Sequence, residues 1–265
     1  LGALVLSALS ACETVQTTQG GAVGVERKQS MSPLVSSAQM DRSAAEAYAQ
    51  VLADARKKDQ LNRDPAQVAR VRAVANRLIP ATGAFRSDAP GWKWEVNVIT
   101  TQEVNAWCMP GGKIAVYTGL ISSLKITDDE LAAVMGHEIG HALREHGRER
   151  ASEQLAEQLG VTVLEAALGL GDVGKQLTQT ILDVTLSLPH SRTQETEADR
   201  IGVELAARSG YDPRAAVSLW QKMGKLGGDK PPEWLSTHPS DQTRTRDVQG
   251  YAERVMPLYE AARIR

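Results

Sequence analysis

The stretch Met135-Gly-His-Glu-Ile-Gly-His-Ala-Leu-Arg-Glu-His-Gly147 holds three of the five histidines in a chain of 265 residues. His137 and His141 stand four residues apart, which on an α-helix puts their side chains one turn apart and about 40° different in direction, so both imidazoles can reach one ion. Glu138 lies about 60° from His141 around the same axis, beside the pair. This His-Glu-x-x-His spacing suits zinc, with the glutamate as a base toward water. A zinc ion that does chemistry takes three protein ligands and keeps one position open. His146 follows His141 by five residues, about 140° round a continuing helix, and is expected on a solvated face. The longer signature with a third histidine would need Gly at 144 and His at 147, where this chain has Arg144 and Gly147.

The third ligand is expected in Ser191-Arg-Thr-Gln-Glu-Thr-Glu-Ala-Asp-Arg-Ile-Gly202. Read as a helix, Glu195, Ala198, Asp199, Gly202 and Ala206 share a face of small residues whose backbone can come close to a neighbouring helix. Glu197, Arg200, Glu204 and Arg208 share another face, which reads as an ion-paired exterior. Glu195 is therefore the expected ligand. Asp199, one turn on, is placed to accept a hydrogen bond from the second ring nitrogen of a ligand histidine.

Both segments must be helices for this to work. Thr127-Asp-Asp-Glu130 is a capping-box pattern, and Asp128 and Asp129 suit the positive end of the helix it opens. Spacing predicts helices over 127–149, 151–169, 175–187, 192–209, 213–226 and 241–263. A further helical region over 41–79 is broken near Asn62 to Pro65 and ended by Pro80. Strict alternation from Trp92 to Val98 predicts a half-buried strand, and Lys113 to Tyr117 a second one after the Pro110-Gly111-Gly112 turn. The expected fold class is α+β, mainly helical, with a small β-sheet. The run 161–188 is apolar but interrupted by Glu165, Asp172, Lys175 and Asp183, which argues against a membrane span. Residues 161–190 are expected to cover the cleft as a lid.

The combination His137-Glu-Ile-Gly-His141, followed 54 residues after His141 by Glu195-x-x-Ala-Asp199, resembles the M48 family of zinc metallopeptidases, gluzincins of the Oma1-like and periplasmic lipoprotein type. Asn105 to Tyr117 resembles that family's strand before the active helix. Thr237-His-Pro-Ser-Asp-Gln-Thr-Arg244 resembles its C-terminal His-Pro element. The resemblance covers about residues 30–265 and implies a zincin-like catalytic domain with one Zn²⁺ on His137, His141 and Glu195, and Glu138 as general base. It further implies that His238 lies beside the ion, as an oxyanion donor or as a ligand that holds the enzyme latent. Arg244 would pair with substrate or with a carboxylate. Substrate would add as an extended strand to the edge strand Gly112, Lys113, Ile114, Ala115 and Val116, which favours unfolded or flexible polypeptides.

The remaining expectations come from the N-terminus and the charge. A formal charge of -2 argues against nucleic acid as a partner. Leu1 to Ala11 reads as the apolar part of a signal peptide, and Leu9-Ser10-Ala11-Cys12 resembles a lipobox, with Cys12 lipidated. Glu13 after it favours the outer membrane of a Gram-negative bacterium, so the protein is expected in the periplasm, held to the membrane by lipid. Residues 12–37 then read as the lipidated N-terminus and a flexible tether, and 38–265 as the peptidase domain. Cys108 would be the remaining thiol, a small buried apolar residue. The expected function is a zinc metalloendopeptidase acting on unfolded, damaged or misassembled envelope proteins. The alternatives are an envelope chaperone or assembly factor with weak peptidase activity, and a zinc hydrolase acting on another amide.

Overall fold

The computed structural model describes residues 12–154, 179–226, 233–238 and 242–264. Residues 1–11, most of the two helices expected over 151–187 and most of the expected lid lie outside the described residues. A two-stranded antiparallel ribbon, β1 (Glu13–Val15) and β2 (Gln29–Met31), precedes two helices, α1 (Ser37–Lys57) and α2 (Pro65–Ala81). Then comes a three-stranded sheet of β3 (Glu95–Ile99), β4 (Ala106–Met109) and β5 (Lys113–Tyr117), followed by α3 (Thr118–Leu124) and α4 (Asp128–Leu143). Residues 146–154 are helical again. After a π-helical turn at Asp183–Ser187 the chain forms α5 (Arg192–Arg208), α6 (Ala215–Lys225), α7 (Glu233–Thr237) and α8 (Gln242–Arg263). The α+β, mainly helical class expected from the sequence is what the chain adopts. Among the described residues no helix is long and apolar enough to cross a membrane.

The helix α4 sits at the centre of the molecule, buried at every position from Glu130 to Leu143. Its start is fixed by the expected capping box: the Thr127 hydroxyl accepts from Glu130 N–H at 3.2 Å, and the Glu130 carboxylate accepts from Thr127 N–H at 2.8 Å. The same carboxylate holds Lys222 of α6 at 2.6 Å. On one side α4 meets α2, whose Val68, Val71, Val74 and Leu78 form the buried stripe their spacing predicts, and the sheet; on the other it meets α5. The contact with α5 is made backbone to backbone. A Cβ on Gly202 would lie 2.6 Å from His137 N, and one on Gly136 would lie 2.8 Å from Gly202 O. The small-residue face read from the sequence therefore sets the distance between the two helices.

Two sequence expectations fail here. The strand order is β3-β5-β4, with β3 parallel and β4 antiparallel to β5. Lys113, Ile114, Ala115 and Val116 therefore lie in the central strand, with Gly112 leading into it, and this stretch is not an edge. The sequence reading missed β4 as a separate strand because Pro110-Gly111-Gly112 is the turn of a hairpin whose first arm, Ala106–Met109, is buried throughout and shows no alternation. Gly111 and Gly112 take φ of +71° and +80°, and Trp94 covers Gly112 so closely that a Cβ there would lie 2.6 Å from its ring.

The second failure is the tether. Residues 13–31 are folded onto the rest of the chain: Val23, Val25, Gln29 and Met31 are buried, Gln19 N–H donates to Phe85 O at 2.8 Å, and Val23 N–H donates to the Glu204 carboxylate at 3.0 Å. Smaller differences are a β3 that starts at Glu95 rather than Trp92, and a Pro80 that α2 accommodates within its last turn.

Candidate metal centre

The geometry of the centre follows from which ring nitrogens carry protons. His137 Nδ1 lies 2.9 Å from Asp199 Oδ1. A carboxylate only accepts, so the proton is on Nδ1 and Nε2 is bare. His146 Nε2 lies 3.0 Å from Glu197 Oε2, which places a proton on that nitrogen and leaves His146 Nδ1 as an acceptor. His146 Nδ1 is 2.8 Å from His141 Nδ1, so His141 donates there and its Nε2 is bare as well. His238 Nδ1 is 3.0 Å from the Trp234 carbonyl and 2.9 Å from the Thr237 hydroxyl, which puts its proton on Nδ1 too.

Three bare Nε2 atoms and the Glu195 carboxylate thus converge within 4.8 Å of one another, all buried. His137 Nε2 and His141 Nε2 are 3.1 Å apart, His141 Nε2 is 3.3 Å from Glu195 Oε1, and His137 Nε2 is 3.7 Å from Glu195 Oε2. With neither nitrogen protonated the 3.1 Å approach is lone pair against lone pair, and Glu195 Oε1 and His238 Nε2 have no hydrogen-bond partner among the described residues. A metal cation would satisfy such a set. Tetrahedral zinc with bonds of about 2.0–2.2 Å has ligand-to-ligand edges of roughly 3.3–3.6 Å, so the residues fit the ion.

The electrostatics agree. Burial holds His137 below its ordinary range against the pull of Asp199, and burial plus the neighbouring imidazoles hold His141 well below it, so both stay neutral and able to ligate. Burial pushes the Glu195 carboxyl well above the usual range, an opposition that a bound cation removes. Arg244 bridges Glu195 Oε2 at 2.6 Å and Asp199 Oδ2 at 2.5 Å, and its guanidinium lies 3.6 Å from the centre of the Trp220 ring. Asp199 is held below its ordinary range: burial acts against the charge, but Arg244 and His137 outweigh it. Glu138, one residue past His137, is buried against the Trp234 indole, which donates to Oε1 at 2.8 Å, and burial pushes its carboxyl up to about 8.

The model of peptidase family M48 matches residues 65–252, a span that contains α4, α5 and the segment with His238 and Arg244. This chain belongs to that family. It is 44% identical over 163 residues to the mitochondrial metalloendopeptidase OMA1 of Arabidopsis thaliana, covering 62% of this chain and 32% of that protein. It is 28% identical over 176 residues to the metalloprotease LoiP of Escherichia coli (66% and 69% of the two chains). Against the β-barrel assembly-enhancing protease of Yersinia pestis it is 28% identical over 211 residues (73% and 40%). The chain thus spans about a third of the plant M48 protein's length.

Within this M48 chain the residues proposed from sequence, His137, Glu138, His141, Glu195, Asp199, His238 and Arg244, all meet at one place. Arg244 pairs with the Glu195 and Asp199 carboxylates rather than standing free for substrate. His146 is the correction: it is fully buried, because α4 ends at Leu143 and Glu145 takes a left-handed φ of +52°, which turns the chain and brings His146 back under His141. Glu197 and Glu204 are buried as well, so that face of α5 is not an exterior. Arg27 holds Glu197 at 2.8 Å and Glu149 at 2.6 Å, and Arg144 holds Glu197 at 3.1 Å. Sequence reasoning missed His190, whose ring lies 3.8 Å from that of His141, and Trp234. His190 has a visible signal, since it directly precedes Ser191, the cap of the helix that carries Glu195. Cys108 is buried, as expected, and Cys12 is exposed.

Proposed function

We propose that this chain is a zinc-dependent metalloendopeptidase that cleaves peptide bonds in unfolded, damaged or misassembled cell-envelope proteins. The observation that carries the reading is Glu138, a buried carboxylate oriented by Trp234 beside the ligand group and pushed to about 8. A domain that only bound polypeptide would have no use for such a group, and this favours cutting over a chaperone role. Zinc on His137, His141 and Glu195 supplies Lewis acidity toward the scissile carbonyl and the attacking water. Glu138 takes the proton of that water and returns it to the leaving amine, a shuttle that works best with a pKa near the working pH.

His238 supports a resting state that is closed. Its Nε2 is bare in this conformation and sits in the ligand group, so it suits a fourth ligand better than a donor to an oxyanion. The substrate strand is assigned to β4, the edge of the sheet beside α4, rather than to 112–116. Asp183–Ser187 packs on β4 and would have to move aside, which gives the end of the expected lid its role. A lipid on Cys12 would hold the enzyme against the outer membrane with no tether between, because β1 begins at Glu13.

The test is cleavage of casein by the purified chain and by Glu138→Gln, with zinc measured in both. Wild type that cuts and a zinc-loaded variant that does not would support the reading. Zinc in both with no cutting by wild type, and none after His238→Ala, would refute it.

A further inference from the structure

Beside the metal centre lies a small recess whose lining includes Cys108, Pro110, Glu138, His141, Arg150 and His190. Arg150 is 6% exposed, yet among the described residues no carboxylate lies within ion-pair distance of it. Its Nη1 donates to the Leu188 carbonyl at 2.8 Å, its Nη2 faces His190 Nε2 at 3.4 Å, and its Nε has no partner. Glu149 is engaged by Arg27, Glu145 by Arg86 and Arg148, and Glu195 by Arg244, so that Glu195, Glu153 and Glu149 act on Arg150 only at a distance. Because a guanidinium only donates, His190 Nε2 must be the bare nitrogen, which leaves the ring proton on Nδ1. That Nδ1 is buried and also without a partner. Two orphaned donors, one of them cationic, therefore line one recess at the catalytic glutamate. A buried guanidinium with no direct ion pair is an arrangement a fold keeps where an anion is to be supplied.

We propose that Arg150 and His190 form a subsite that binds a carboxylate of the peptide substrate, either an acidic side chain close to the scissile bond or the free C-terminus. This rests on the peptidase reading of the same centre. Arg150 pairs with the carboxylate through its free Nε edge, His190 adds the Nδ1 hydrogen bond, and the apolar wall of Cys108 and Pro110 keeps water from screening the pair. Arg150 and His190 act on substrate choice and take no part in the proton shuttle.

The experiment is a series of quenched peptides with Glu or Gln at each of the three positions either side of the cleaved bond, each made with a free and an amidated C-terminus. For wild type, kcat/KM is expected to be about tenfold higher for the acid than for its amide at one position, which identifies the source as side chain or terminus. Arg150→Gln should bring that ratio close to one, and Arg150→Lys should keep part of it. A ratio near one at every position in wild type overturns the proposal without need of any variant, and so does a ratio that survives Arg150→Gln. If no peptide is cut, fluorescence anisotropy of the same peptides separates the two ideas. Tighter binding of an acid than of its amide, lost in Arg150→Gln, keeps the subsite while the peptidase reading fails; equal binding ends both.

Discussion

Replacing Gly202 by Ala tests whether the spacing of α4 and α5 makes the metal centre. The added Cβ would lie 2.6 Å from His137 N and 2.9 Å from the backbone carbons of Gly136 and His137, with no side chain to yield. Restoring ordinary contact at 3.4 Å moves the helices apart by about 0.8 Å at that point. Asp199 is about one turn from Gly202 and Glu195 about two, so the movement is passed to the ligand and to the group that orients His137. Metal sites tolerate errors of about 0.2 Å in ligand distance, and the displacement is roughly four times that. Overpacking of this kind costs about 1–3 kcal/mol, which in a domain of this size lowers the melting temperature of the zinc-free protein by roughly 2–12 °C. Zinc affinity, read by competition with a chromophoric chelator, should fall at least tenfold. Gly224→Ala is the control: it lies in α6, nothing is within 4 Å of its would-be Cβ, and the change should stabilise the helix by a few tenths to about 1 kcal/mol. Gly202→Ala protein that melts lower but binds zinc as tightly as wild type would refute the reasoning, since the helix contact would then be structural alone.

Two further outcomes follow from the groups behind the ligands. His146→Phe keeps an aromatic ring in place but removes the acceptor for His141 Nδ1 and a donor to Glu197, so zinc affinity should fall about 10- to 100-fold and the zinc-free protein should melt lower, because two buried groups lose a partner; equal affinity in the same chelator competition would show that His141 needs no orienting partner. Arg27→Met should make the fold more acid-labile. Burial opposes the charges of Glu197 and Glu149, but hydrogen bonds and charges from His146 and Arg27 on Glu197, and from Arg27, Gln194 and Gln29 on Glu149, hold both below their ordinary 4.5, Glu197 at about 2. A depressed folded pKa gives stability that is complete above about 4.5 and is lost as the pH falls toward 2. Without Arg27 the depression shrinks, so the midpoint of acid unfolding followed by circular dichroism should move to higher pH; an unmoved midpoint would mean that the ribbon contributes nothing to the charge layer.

The front of the centre was legible because it depends on angles within single helices. The His137/His141 offset, the small face of Ala198 and Gly202, and the place of Asp199 one turn beyond Glu195 all follow from 3.6 residues per turn, and the capping boxes at Thr127 and Ser191 mark where the counting starts. The count fails once the helix ends. Nothing in Arg144-Glu145 announces a left-handed residue, since φ of +52° is uncommon for a glutamate, and so His146 was placed on the wrong side. Strand order was beyond reach for a different reason: it depends on pairing between segments, and the alternation of Trp92 to Val98 says which face is covered without saying which neighbour sits alongside.

The other misreadings are a single one. A tether over 13–37, an exterior face on α5 and a solvated His146 are all inferred from polar composition, and in the structure these polar groups satisfy each other: Arg27 and Arg144 on Glu197, Glu197 on His146, and Val23 N–H on Glu204. Composition cannot distinguish a polar residue facing water from one facing an opposite charge, because both avoid an unpaired burial. The distinction matters for function. The path Arg27–Glu197–His146–His141 runs from the N-terminal ribbon to a zinc ligand through contacts of 2.8, 3.0 and 2.8 Å. The segment that reads as a mere attachment to the membrane therefore supplies a cation to the charge layer behind His141.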